Sequence, residues 1–221
     1  METIINMNKI LPRIFEVNKT IKSYRRVIWF YDLWSRFTES KAISKVMEIA
    51  NLRNNQNVLE IACGTGILFE QILLKNPTGY NVGIDISPDM LQKTGSKNYE
   101  LHEGNALNLN LNSNSYDILI NNFMIDLMPE ESFDIIANEF YRVLNRNGTA
   151  IISTFSFGTK SVNKCWFWVA KYLPGLLTGC RPVLINEHLE KAGFVIKEVY
   201  QISQNTFPSE VIKAQKLSVL Y

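Results

Sequence analysis

A chain of 221 residues is long enough for one sizeable α/β domain that buries its core without disulfides or metal ions. The formal net charge is only +2, and the Lys and Arg residues are scattered, so no nucleic-acid partner is expected. The three cysteines (Cys63, Cys165 and Cys180) show no metal-ligand spacing. We therefore expect a reduced, cytoplasmic protein without a metal site.

The sequence contains no apolar segment typical of a signal peptide or of a membrane-spanning helix. The first twenty residues carry charges and Asn throughout, so no signal-peptide core is visible. No run reaches the roughly 18 apolar residues of a membrane span. The nearest candidate, CWFWVAKYLPGLLTGC, is interrupted by Lys171 and Pro174.

Short apolar runs alternate with longer amphipathic ones, which indicates βαβ units around a parallel sheet. Strands are predicted over residues 58–62, 81–86, 116–121 and 149–155, and helices over 68–74, 87 to about 95, 130–145 and 186–192. The pair Asn147-Gly148 is expected to end the third of these helices. Residues 194–202 and 206–214 are predicted to pair as an antiparallel hairpin.

A glycine-rich turn, within VLEIACGTGILFE, joins the first predicted strand to the first helix. A dinucleotide site needs G-x-G-x-x-G, but here Gly64 and Gly66 are followed by Phe69 at the third glycine's place. No Gly-Lys-Ser/Thr follows, so a P-loop is excluded as well. Asp85, at what we expect to be the exposed end of the second strand, is placed to accept hydrogen bonds from ribose hydroxyls. The turn favours a ligand with a ribose and no pyrophosphate.

Six segments in order make the chain resemble the class I S-adenosylmethionine (SAM)-dependent methyltransferases, in particular the small-molecule branch that includes the C-methyltransferases of ubiquinone and menaquinone biosynthesis. The segments are LEIACGTG, GIDISPDML, EGNALNL, YDILINNFMIDLMPEE, FYRVLNRNGTAIIS and EHLEKAGF. The resemblance implies a Rossmann-like, doubly wound α/β fold with a mostly parallel seven-stranded sheet and a C-terminal antiparallel hairpin. It also implies one domain over residues 1–221, with a helical lid over 1–45 and a substrate-side insertion over 156–185.

The resemblance implies SAM as cofactor and S-adenosylhomocysteine (SAH) as product. Gly64 and Gly66 then face the methionine part of SAM, Glu60 receives its ammonium group and Asp85 holds its ribose. The other implied cofactor contacts are Tyr31, Ala62, Ile86, Met90, Asn105, Ala106, Asn121, Asn122 and Phe123. Ile86 and Met90 would enclose the adenine.

Within that group, Asn105 stands where the family usually has Asp, and it keeps an acceptor oxygen for the adenine amine. Asn121, Asn122 and Phe123 would lie beside the sulfonium, and Tyr31 would close over the cofactor. Each assignment has a structural alternative: the glycines as a tight turn, Asp85 as a helix-start acid, and Ile86 and Met90 as ordinary core.

Asp126 is the candidate catalytic base, because it follows the fourth strand where the resemblance implies a polar group near the methyl. The alternative is an exposed Asp that caps the helix near Pro129. A base is needed only if the acceptor's nucleophile carries a proton that must leave.

The acceptor is expected to be a small or medium, apolar, aromatic or lipid-like molecule. Aromatic and leucine side chains crowd residues 160–179, and WFYDLW offers a second aromatic segment. These side chains could wall an acceptor pocket, pack as an ordinary helix on the sheet, or rest on a membrane surface. A non-catalytic SAM-binding partner subunit and a nicotinamide-dependent oxidoreductase remain the alternative functions, and Phe69 disfavours the second.

Overall fold

The computed structural model describes residues 10–12, 33–93 and 100–217. Its centre is a seven-stranded sheet with strand order β3-β2-β1-β4-β5-β7-β6. The strands are β1 (Asn57–Ile61), β2 (Tyr80–Asp85), β3 (Glu100–Glu103), β4 (Tyr116–Asn122), β5 (Leu144–Phe155), β6 (Phe194–Gln204) and β7 (Phe207–Lys216). The first five are parallel, and β7 runs antiparallel to both β5 and β6. The predicted fold class is confirmed.

Helices cover both faces of the sheet. They are α1 (Ser40–Ala50), α2 (Ile67–Lys75), α3 (Pro88–Lys93), α4 (Phe133–Val143), α5 (Lys164–Tyr172) and α6 (Asn186–Lys191). The buried side chains of α1, α2 and α5 belong to the core on one face. Those of α4 and α6 belong to the core on the other face. Helical residues 33–38 precede α1, and within the described residues no helix has the length and apolar character to cross a membrane.

The apolar periodicity of α4 explains why this segment is helical. Its apolar residues recur at intervals of three and four, so they form one stripe, and this stripe is buried against the sheet. The buried members are Phe133, Ile136, Ala137, Phe140 and Val143.

The predicted end of that helix is wrong. The helix ends at Val143 and β5 begins at once with Leu144, which pairs with Tyr116. The ladder then resumes at Thr149, so Asn147, in a left-handed conformation with φ 63°, lies in a bulge rather than at a helix end. Burial of Leu144 in the ladder outweighs the local turn preference of Asn-Gly.

Strand β3 had no prediction because its sequence, Glu-Leu-His-Glu, shows no apolar alternation. It lies at the edge of the sheet, where only Leu101 is partly buried against the core. Polar side chains are usual on edge strands, so periodicity does not report them.

The order of the strands places a ligand-binding crevice between β1 and β4. The chain order reverses at this pair, and the loops after both strands diverge from the carboxyl edge of the sheet. The glycine-rich turn follows β1, Asp85 ends β2, and Asp126 follows β4. Residues separated widely in sequence are thus collected at one edge.

Candidate cofactor and acceptor site

The turn after β1 has three residues in left-handed backbone conformations: Ala62 (φ 60°), Gly64 (φ 55°) and Gly66 (φ 82°). Glycine adopts these angles without strain, whereas an L-residue such as Ala62 rarely does. A Cβ built at Gly64 meets no atom within 4 Å, so the space in front of this glycine is open. The open side allows a ligand to approach the backbone closely, as the cofactor assignment requires.

The ring of Phe69 is fully buried in the core on one face of the sheet. A Cβ added to Gly83 of β2 would lie 2.5 Å from Leu101 Cδ2, 3.2 Å from Cys63 Sγ and 3.3 Å from the Phe69 ring. The absence of a side chain at Gly83 therefore leaves room first for Leu101, and then for Cys63 and Phe69.

Glu60 lies at the carboxyl end of β1 and is only 2% exposed. Its Oε2 has no hydrogen-bond partner among the described residues. Burial, and next the charge of nearby Asp85, raises the pKa of Glu60 well above its usual value. A buried carboxyl of this kind stays ionised only beside a positive charge, so it fits the ammonium group of SAM.

Asp85 is buried, contrary to the expectation of an exposed strand end. Its Oδ2 accepts a hydrogen bond from the Gly64 N–H at 2.9 Å, and its Oδ1 accepts one from the Ser87 N–H at 2.8 Å. Burial raises the pKa of Asp85, and the backbone donors of Ser87 and Gly64 lower it. The carboxylate ties the two loops together and keeps further acceptor capacity for a ribose.

We expect Asp85→Ala to weaken SAH binding by about 1.5–3 kcal/mol, because charge-assisted hydrogen bonds to the ribose are lost. Asp85→Asn is the matched control, since it keeps one oxygen for the loop N–H groups without the charge. Titration calorimetry with SAH measures the affinity, and urea unfolding reports separately on the loss of loop support. An unchanged dissociation constant in Asp85→Ala would place the ribose elsewhere.

The residues proposed for the adenine differ in exposure. Ile86 is 38% exposed, whereas Met90 and Ala106 are buried. Asn105 is exposed, and its Oδ1 accepts a hydrogen bond from the Leu107 N–H at 3.0 Å. Ile86 and Asn105 are thus accessible to a ligand.

Strand β4 ends in polar side chains. The fully buried Asn121 donates from Nδ2 to the Ile61 carbonyl at 2.9 Å, and its Oδ1 has no partner among the described residues. Asn122 accepts a hydrogen bond from the Ser153 hydroxyl. Phe123 has φ 45° and donates its N–H to the Ser153 carbonyl at 2.9 Å. The structure therefore brings the ends of β1, β4 and β5 together around these side chains.

Asp126 lies in a 3-10 turn, Ile125–Leu127, and is 1% exposed, so the alternative of an exposed helix cap is wrong. Its Oδ1 has no hydrogen-bond partner among the described residues. Burial raises the pKa of Asp126 to about 7. Three weaker effects lower it: a hydrogen bond from its own backbone N–H, the positive charge of Arg181 and a hydrogen bond from the Cys180 side chain. A carboxyl with this pKa can accept a proton near neutral pH.

Two residues of this region had no sequence-based prediction. Arg181 is buried and donates to the carbonyls of Leu11 (2.5 Å), Asp126 (2.8 Å) and Met128 (2.6 Å). Its one possible signal is that it is the single arginine in a segment, 156–185, without acidic residues.

Glu39, just before α1, is the second missed residue, and it is also buried. Burial raises the pKa of Glu39 to about 7, the Ser35 hydroxyl lowers it, and the charge of Asp126 raises it further. In the sequence Glu39 looks like any surface charge of a helix, so nothing there distinguishes it.

The two aromatic segments meet. Trp34 and Trp166 lie edge to face with ring centroids 6.2 Å apart, and Trp166 also contacts Phe207 at 5.3 Å. Phe167, a residue of α5, is buried on the inner face of this helix. The packing interpretation therefore holds for the inner face of this helix. Tyr31 lies outside the described residues.

Comparison with known proteins decides the family. A family model described as a methyltransferase domain matches residues 52–204, which is more than half of the chain. The chain belongs to the SAM-dependent methyltransferases. SAM is accordingly its cofactor, and the nicotinamide-dependent interpretation has no support from the match.

Curated relatives of this methyltransferase act on different acceptors. A malonyl-[acyl-carrier protein] O-methyltransferase of Priestia megaterium is 26% identical over 204 residues, 86% of this chain and 70% of the relative. A demethylmenaquinone methyltransferase of Listeria welshimeri is 30% identical over 115 residues, which is 47% of each chain. The match thus spans only about half the length of the second relative.

Solved structures confirm the fold of the methyltransferase. A Thermotoga maritima SAM-dependent methyltransferase, described as a possible histamine N-methyltransferase, superposes with a TM-score of 0.67 at 19% identity, over 88% of this chain and 99% of that one. A Methanosarcina mazei SAM-dependent methyltransferase gives a TM-score of 0.63 at 19% identity, over 78% and 98%.

Among the described residues, no three His, Cys, Asp or Glu side chains gather in a group that could hold a metal ion.

Proposed function

We propose that this methyltransferase acts on a small or medium-sized, apolar or aromatic acceptor whose nucleophile carries a proton, and that Asp126 takes that proton. The buried, unpartnered Oδ1 of Asp126 at the carboxyl edge of the sheet is the observation that carries the proposal. A lipid-like or quinone-like molecule is one version of the acceptor, in line with the demethylmenaquinone relative.

The methyl group is supplied by the positively charged sulfonium of SAM, which is already a good leaving group. The chain's contribution is then mainly alignment: a nucleophile held near 3 Å from the methyl and shielded from water gains up to about 7–11 kcal/mol. In this proposal Glu60, Asp85 and the turn with Gly64 and Gly66 orient the cofactor. The other predicted contacts complete its site.

We further propose that residues 1–45 form a lid and that residues 156–185 wall the acceptor side. The contact between Trp34 and Trp166 supports this, because it joins the two segments beside the carboxyl edge. Arg181 supports it too, since it links residue Leu11 to the backbone of Asp126. A cytoplasmic location stays a prediction from the cysteine content.

Binding of SAH should stabilise the protein by about 2.7 kcal/mol at a hundredfold excess over its dissociation constant. NAD and NADP should have no measurable effect. A thermal-shift series with SAM, SAH, NAD and NADP measures this. A shift with NAD and none with SAH would contradict the cofactor site proposed here.

The acceptor is found by incubating the protein with methyl-labelled SAM and separated cell fractions. Label in an apolar or lipid fraction would support the proposal, and label only in proteins or nucleic acids would contradict it. Binding of SAH without transfer to any fraction would favour a non-catalytic SAM-binding subunit.

A further inference from the structure

The outer face of α5 and the 3-10 turn Pro174–Leu177 that follows it form a surface that includes none of the proposed cofactor contacts. We call this the α5 surface and define it by Lys160, Lys164, Lys171, Tyr172, Leu173 and Leu176.

The apolar side chains of the α5 surface are held outward by an ordered backbone. Tyr172, Leu173 and Leu176 are 66%, 59% and 62% exposed. The Leu176 N–H donates to the Leu173 carbonyl at 2.9 Å, so the two leucines lie on one edge of a single turn. The opposite face of the same segment is anchored in the core by Ala170 and Leu177.

An aromatic stack continues this surface along the helix. The rings of Trp168 and Tyr172 are stacked with centroids 5.7 Å apart. The ammonium of Lys171 lies 5.3 Å from both centroids. Aromatic rings next to lysines and exposed leucines are typical of side chains that sit between water and lipid.

The charged residues of this segment have one sign. Residues 156–185 contain no Asp or Glu. Of the four basic residues in this segment, Arg181 is buried and Lys160, Lys164 and Lys171 face solvent. A surface that combines exposed leucines with lysines from a segment without acidic residues is complementary to an anionic lipid headgroup layer.

We propose that the α5 surface binds the face of an anionic lipid bilayer. The segment leads directly from this surface to the site, because Arg181 donates its N–H and its Nη1 to the carbonyl of Asp126. Binding would therefore bring the acceptor side of the protein to the membrane. The binding itself does not depend on the acceptor proposed above.

The test is co-sedimentation of the full chain with vesicles, either of phosphatidylcholine alone or with a phosphatidylglycerol fraction. We expect binding to the anionic vesicles only, and loss of that binding at high salt. Replacing Lys160, Lys164 and Lys171 together by Gln should lower the partition coefficient about fivefold per lysine at low salt. Leu173→Asn with Leu176→Asn should lower it roughly tenfold per leucine.

The matched controls are Leu74→Asn and Lys75→Gln at the exposed end of α2, which should bind like the unaltered protein. SAH binding by every variant shows that it is folded. Absence of binding to anionic vesicles, or binding that neither set of changes reduces, would overturn the proposal. So would light scattering that shows a dimer lost in the leucine variant, since the surface would then bind a second copy of the chain. None of these outcomes bears on the cofactor site, which the SAH measurements test separately.

Discussion

Asp126→Asn should lower the turnover of methyl transfer by roughly 10²–10⁴-fold while leaving SAM affinity nearly unchanged. Asn has almost the same shape and can occupy the same buried position, but it cannot take a proton from the acceptor. The buried Oδ1 without a partner is the atom to which the proton would go. Turnover and SAH affinity are measured on the same preparation, with labelled SAM and the active acceptor fraction.

The pH profile provides an independent measurement of the same role. The pKa of Asp126 is raised to about 7, and a base acts only in its carboxylate form. Turnover of the unaltered protein should therefore fall as the pH drops below about 7, and this acid limb should vanish in Asp126→Asn.

Glu131→Gln, an exposed acid five residues further along the chain, is the control and should leave both turnover and profile unchanged. If Asp126→Asn kept normal turnover and an acid limb, Asp126 would be removed from the mechanism. Alignment alone would then account for the transfer.

Glu39→Gln should make the protein more stable at alkaline pH and leave its stability at pH 5 nearly unchanged. Burial and the charge of Asp126 raise the pKa of Glu39 from 4.5 in the unfolded chain to about 7 in the fold. The folded state therefore holds a proton that the unfolded state releases, so this carboxyl lowers the free energy of unfolding as the pH rises from 4.5 to above 7. Gln carries no ionisable proton and removes that loss.

The size of the effect follows from the pKa difference, which corresponds to about 3 kcal/mol between the two ends of this pH range. Urea unfolding of the unaltered and variant proteins at a series of pH values measures it. Glu60 titrates in both proteins and cancels, so the difference between the two curves reports Glu39 together with its interaction with Asp126. Parallel curves would show that Glu39 is solvated in the fold, and Glu131→Gln provides the exposed control.

The sequence predicts the fold well wherever a local pattern decides it. The periodicity of α4, the order of strands and helices, and the final hairpin all depend on neighbours within one element or one turn. It fails at Asn147, because pairing of Leu144 with Tyr116 across the sheet overrides the turn preference. It also misses β3, whose place at the sheet edge leaves no apolar pattern.

Some features of the candidate site could likewise be predicted from the sequence, and others could not. By itself the sequence determined the turn with Gly64 and Gly66, the acid at Asp85 and the family, because these depend on residue type and spacing. Only the tertiary structure decided that Asp126 is a buried acid rather than an exposed cap, and that Glu39 and Arg181 lie beside it. The burial and the pKa of a side chain are set by atoms that folding brings together, here from residues 11, 39, 126 and 181. Because these residues are far apart in the sequence, no local sequence pattern predicts their contact.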